Sequence, residues 1–234
     1  MKAILVSVIF LLFSSLSIAA ELPPDFVAKY KITKGFVTIG KAKRSLSTNG
    51  TQKVYVSDSR TTGFIGSLFK EKIIQKTEFA FEDSMLKPLK YYYDRNNGKK
   101  KVEQTYDWKK GWVHSQRDDK LSEYEIPTGS QDQSSYQLAL MLDLADGKRN
   151  FSYQIAENVR LVNYELKHLG NKKLKTIYGK LDTVVIQVKT KKMKTTIWSA
   201  PSLHYLPVKI EHEEKGTSFY AHLESVQGIS PATL

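Results

Sequence analysis

Five histidines (His114, His168, His204, His212 and His222) and no cysteine make up the soft-metal donors of this chain. None of the histidines stands in an HxxxH or HxH pair. A zinc site would have to draw His212 and His222 together across a hairpin and borrow Glu211 or Glu213, so no metal is expected. No GxSxG nucleophile elbow, phosphate-binding loop or dinucleotide fingerprint occurs, and no cofactor is expected. The acidic doublets Asp118-Asp119 and Glu213-Glu214 are a poor basis for paired acid–base work. Neighbours on a strand point to opposite faces, whereas glycosidase carboxylates must face one substrate. They read as turn and surface charges. No catalytic residue is assigned, and the expectation is a protein that is not an enzyme.

Positive charge is the larger signal. Lys plus Arg number 36 against 24 for Asp plus Glu, a formal net charge of +12 over 234 residues. The cations bunch at Lys99-Lys100-Lys101, at Lys109-Lys110, at Lys172, Lys173 and Lys175, and at Lys189, Lys191, Lys192 and Lys194. Such density suits an anionic lipid or glycan and a peripheral membrane contact. The plainer reading is a solvated surface on which edge lysines block strand addition. Lysine far outnumbers arginine, the better base reader, so nucleic acid is not expected.

Aromatic residues are 11% of the chain. Trp108 and Trp198 fall on expected strands and are core or ligand-pocket residues. Between them in interest is the stretch 63–69, where two glycines bracket apolar side chains that alternation does not bury on one side. Phe64, Leu68 and Phe69 are therefore candidates for an apolar lip facing ligand or membrane. The alternative is ordinary packing against a helix.

These residues need a scaffold. Residues 1–20 read as a secretory signal peptide, with Lys2 before an apolar core too short to span a bilayer and small residues ahead of the cut. The absence of Cys at the cleavage site argues against a lipid anchor. The expected product is exported, soluble and periplasmic. From residue 21 to 227 period-2 alternation recurs, predicting strands at 26–32, 35–47, 53–61, 72–81, 89–94, 101–108, 112–116, 151–156, 159–168, 174–177, 180–190, 195–200, 208–212 and 218–226. Asn96-Asn97-Gly98 signals a tight hairpin, because that turn needs positive φ. One segment, 133–145, breaks the rhythm. It is apolar around most of a helical surface, with Asp132 as its expected N-cap and Gly147 where it stops. Such a helix must be covered, and it is expected across the mouth or seam of a curved sheet. The fold class is thus mainly all-β: a single antiparallel, lipocalin-like barrel or half-barrel with one apolar helix. Residues 228–234 read as a frayed tail.

Several segments in this order resemble the DUF3108 family of exported bacterial proteins of unknown function. They are Tyr30-Lys31-Ile32 with 35–40 (GFVTIG), 62–69 (TGFIGSLF), Leu86-Lys87-Pro88-Leu89-Lys90-Tyr91 and Tyr106-Asp107-Trp108. They continue through 132–142 (DQSSYQLALML), 174–185 (LKTIYGKLDTVV), 197–201 (IWSAP) and 206–210 (LPVKI). The resemblance implies a lipocalin-like periplasmic barrel and carries no catalytic residue.

The function expected is non-enzymatic binding or carriage of an amphiphilic anionic envelope component, lipid or lipid-linked, in an apolar interior with a basic rim. The alternative is a structural or partner-binding module for envelope polysaccharide or protein assembly; a hydrolase is a distant third. A hollow lined by aromatics favours the first, and a solid interior the second.

Overall fold

The computed structural model describes residues 21–50, 52–63, 66, 70–189 and 193–230. The expected signal peptide and the candidates Phe64, Leu68 and Phe69 lie outside the described residues.

Fifteen strands form one sheet. They are β1 (Phe26–Lys34), β2 (Val37–Asn49), β3 (Gln52–Thr61), β4 (Lys72–Glu82), β5 (Met85–Arg95), β6 (Lys100–Asp107), β7 (Trp112–Arg117) and β8 (Lys120–Glu125). After the two-residue β9 (Gln131–Asp132) and the helix α1 (Tyr136–Ala145) come β10 (Phe151–Glu157), β11 (Arg160–Thr176), β12 (Gly179–Lys189), β13 (Met193–Ala200), β14 (Leu206–Glu214) and β15 (Thr217–Gln227). Every sequential hairpin is antiparallel, and β1 pairs with β15, so the order runs β8-β7-β6-β5-β4-β3-β2-β1-β15-β14-β13-β12-β11-β10-β9. The two chain ends of the sheet meet at its centre, and its edges are β8 and β9.

The sheet rolls until those edges approach, but side chains rather than strand pairing close it. Gln131 Nε2 donates to the Leu86 carbonyl at 3.0 Å, and the Thr77 hydroxyl meets the Asp132 carboxylate at 2.9 Å. Gln104 Nε2 reaches the Ala156 carbonyl at 3.3 Å, and the Ser115 hydroxyl donates to the Asn158 carbonyl.

The hairpin at Asn96-Asn97-Gly98 forms as expected, with all three residues at positive φ. Three strand readings differ. β8 is absent from the alternation because it is short and barely buried: in KLSEYE only Ser122 and Tyr124 are partly covered, and the apolar Leu121 is 80% exposed. The two strands read at 159–168 and 174–177 are one long β11; Gly170, at φ 94, makes a register shift within the strand rather than a turn. β5 begins earlier than expected, since Pro88, which lacks an N–H, sits at the register shift opposite Phe79. Gly40 in β2 lies so near β3 that an added Cβ would stand 2.6 Å from the Arg60 carbonyl oxygen, which explains a glycine there.

The helix follows β9 at the seam and packs against the inner face of the sheet, its apolar residues shared between two core clusters. Leu138, Met141 and Leu142 join a cluster with Phe26, Tyr30, Tyr55 and Phe79, while Leu140 and Leu144 join another with Ile155, Ile186 and Ile197. A helix apolar on both sides can bury both only when surrounded by sheet. Its lead-in is Asp132, whose Oδ1 accepts from the Ser134 and Ser135 amides, each at 2.7 Å. Ile229, placed by the sequence in a frayed tail, is buried in the first cluster.

Candidate functional site: a cationic row on the convex face

Alternation assigns each strand an inner and an outer face. Tyr30, Tyr55, Phe79 and Tyr91 point inward and are at most 2% exposed. With α1 among them, the concave side is packed rather than hollow. Two grooves open instead on the convex side. One, of about 350 Å³, crosses β4–β6 between Lys76, Glu78, Lys90, Tyr92 and Glu103. The other, of about 290 Å³, crosses β15, β1, β2 and β3 and is lined by Lys29, Lys41, Lys43, Arg60, Asp58 and Glu224.

The second groove lies on a feature that only strand register reveals. Lys209 of β14 is opposite His222 of β15, which is opposite Lys31 of β1. Lys31 is opposite Lys41 of β2, Lys41 opposite Arg60 of β3, and Arg60 opposite Lys72 of β4. Trp198 of β13 begins the row, opposite Lys209. Six basic side chains thus occupy six consecutive strands at one level on one face. At a strand spacing of about 4.8 Å the row, from Trp198 to Lys72, is about 29 Å long. Lys29 and Lys43, themselves directly opposite, thicken it on one side.

The cations of the row lack close ion-pair partners. Among the described residues, Lys31, Lys41, Arg60, Lys72 and Lys209 form no ion pair, nor do Lys29 and Lys43, although eleven ion pairs occur elsewhere, such as Lys194 with Glu213. The nearby carboxylates are Glu224, Asp58, which is directly opposite Lys43, and Glu211, which is two residues from Lys209 on the same face and hydrogen-bonded to Tyr220; Asp58 keeps one buried oxygen without a hydrogen-bond partner. Lys209 instead lies 4.6 Å from the Trp198 ring centre and 5.2 Å from that of Tyr220. Tyr220 stacks on His222 at 6.2 Å. Partial burial, and then the ammonium groups of Lys209 and Lys31, hold the His222 imidazole below its usual range. The row therefore carries a local positive potential. Its groups are anion receptors; Lys presents point charges and Arg a planar fork.

The sequence candidates fall elsewhere or play other parts. Trp108 donates its indole N–H to the Pro88 carbonyl at 2.6 Å and stacks on Tyr106, packing a third core cluster with Val102 and Val113. Trp198 sits on the convex face at one end of the row, so the two tryptophans line no common pocket. His212 does not meet His222: it is opposite Phe219 and touches the Thr195 hydroxyl at 2.9 Å. Among the described residues no three His, Asp or Glu side chains group as a metal site requires, and no helix is long and apolar enough to cross a membrane. Of the lysine runs noted in the sequence, Lys99, Lys100 and Lys101 lie at the β5–β6 turn and the start of β6, and Lys109 and Lys110 in the β6–β7 turn. Lys172, Lys173 and Lys175 lie in the last part of β11, and Lys189 and Lys194 at facing ends of β12 and β13, while Lys191 and Lys192 lie outside the described residues; none of the described members belongs to the row. The signal of the row is one basic residue per strand at matched register, which linear spacing does not show.

The solved structures include a similar protein, the beta-barrel-like protein of the domain of unknown function DUF1849 from Brucella abortus. It superposes with a TM-score of 0.60 at 9% identity, covering 91% of this chain and 100% of that one, a likeness of fold alone. No curated protein matches. The model of the DUF3108 family, whose members are described as proteins of unknown function, matches residues 29–224, and this chain belongs to that family.

Proposed function

We propose that this protein is a non-enzymatic binding module of the bacterial periplasm that holds a linear polyanion, a chain bearing carboxylates or phosphates at regular intervals, along the convex face. The observation that carries this reading is the row from Lys209 to Lys72, whose cations lack close ion-pair partners among the described residues. Like charges placed directly opposite across strands are destabilising. Guarding an exposed edge does not account for them, because the row occupies the middle of the sheet and the edges are β8 and β9. A bound polyanion offsets the repulsion, and a cationic surface also speeds its capture. The filled interior favours this module over a carrier that encloses an acyl chain.

The test is calorimetric titration with polygalacturonate and with long-chain polyphosphate, with neutral dextran as control. Binding to both polyanions that weakens with salt, and falls at least about tenfold in a Lys31→Gln, Lys41→Gln, Arg60→Gln triple variant, is the expected result. Equal affinity in the triple variant defeats the proposal. Lipid extraction of protein recovered from the periplasm addresses the carrier directly: a stoichiometric acyl lipid would restore that reading.

A further inference from the structure

The tip of the β1–β2 hairpin presents Phe36 at full exposure (108%) and Val37 at 58%. This is an unusual place for an aromatic. A tight turn asks for glycine or asparagine; Gly35, at φ 55, meets that need, and Phe36 beside it packs on nothing. Around this tip the chain sets ammonium groups. Lys34 lies 5.9 Å from the ring centre of Phe219, Lys215 is exposed in the neighbouring β14–β15 turn, and Lys70 and Lys72 are exposed where β4 begins on the other side. Of the carboxylates at the starts and ends of the neighbouring strands, Glu71 is tied to Arg95 and Glu213 to Lys194, Glu214 is exposed, and Asp94, Asp118 and Asp119 lie farther along the same end.

We propose that this hairpin tip is a docking point that inserts Phe36 and Val37 into the interfacial layer of a membrane carrying anionic headgroups. The shape of the feature selects the partner. A stable protein interface needs about 800 Å² from each side, and one projecting ring with its neighbour does not supply it. A wedge of that size flanked by lysines suits a bilayer interface, where the ring sits among acyl ends and the ammonium groups reach phosphates. The inference goes beyond polyanion binding and turns on Phe36 and Val37, sharing only Lys72 with the row. The two are nonetheless geometrically compatible. Lys31 lies three residues back from the end of β1, about 10 Å along the strand, so a docked tip leaves the cationic row just above the headgroups, where membrane-attached acidic chains lie.

The chain has no cysteine, so Phe36→Cys gives a unique site for an environment-sensitive fluorophore, with Ile177→Cys, exposed at the opposite end, as control. Vesicles of phosphatidylcholine with a minority of phosphatidylglycerol should blue-shift the label at position 36 and not at 177. In co-sedimentation, Phe36→Ser should weaken binding to these vesicles by about tenfold, the scale of losing one buried aromatic, while its affinity for soluble polygalacturonate stays at the wild-type value. A water-like label in the bound protein, equal vesicle binding by Phe36→Ser, or no binding to anionic vesicles each overturns the docking proposal. None of these results bears on the polyanion row, which is tested by the soluble polymer.

Discussion

Lys31 and Lys41 stand directly opposite one another on β1 and β2, at the centre of the sheet, and neither has a carboxylate partner among the described residues. The pair is maintained against its own repulsion, which ties stability and binding together with opposite signs.

Lys41→Glu places a carboxylate between Lys31 and Arg60. It should raise stability by roughly 0.2–1 kcal/mol at low salt while weakening polygalacturonate binding several-fold. Denaturant melts alongside titrations read both, and the stability gain should shrink as salt screens it. A variant that loses stability and keeps its affinity contradicts the functional reading of the row.

His222 connects affinity to pH. Its imidazole is held below the usual histidine range by burial and by Lys209 and Lys31. Protonation adds one more charge to the row. Polyanion affinity should therefore rise as the pH falls through the lowered His222 range, by up to roughly fivefold, the upper end of an exposed ion pair. Bound polymer should in turn raise the His222 value in an NMR titration. In His222→Ala most of this pH dependence should vanish.

Asp132 sets a second pH effect, on folding. Burial raises its carboxyl to about 6, against the pull of the Ser135 and Ser134 amides and the Thr77 hydroxyl. The unfolded chain titrates near 3.9, so between these values the native protein holds a proton that the unfolded chain has released. The contribution to stability is full below about pH 4 and is lost as the pH rises through about 6, amounting to ~3 kcal/mol. Asp132→Asn, which can still accept from those amides, should flatten this part of the stability profile. Asp132→Ala should unfold far more easily at every pH, because it strands two buried amides and a hydroxyl.

Trp108→Phe keeps most of the apolar surface and removes the indole donor to the Pro88 carbonyl. The expected cost is about 1 kcal/mol in thermal or chemical unfolding, with polyanion affinity unchanged. A selective loss of binding would return Trp108 to the site.

Alternation along single segments determined the β-rich fold and its central strands, because burial on one face of a strand is written locally, at every second residue. The helix at Tyr136–Ala145 was legible for the same reason: a run so apolar cannot stay in water. β8 escaped because none of its residues is buried, so no apolar period marks it, and the Gly170 irregularity because a bulge and a turn use the same residue. Tertiary structure alone decided where the helix goes, since its apolar surface specifies that it is covered but not by what. Tertiary structure also decided the row. Lys31 and Lys209 are separated by most of the chain and come to one level only because β15 pairs with β1 and with β14 in a particular register. A one-residue slip would send each side chain to the opposite face, and register is fixed by the inward tyrosines and phenylalanines, not by the lysines themselves.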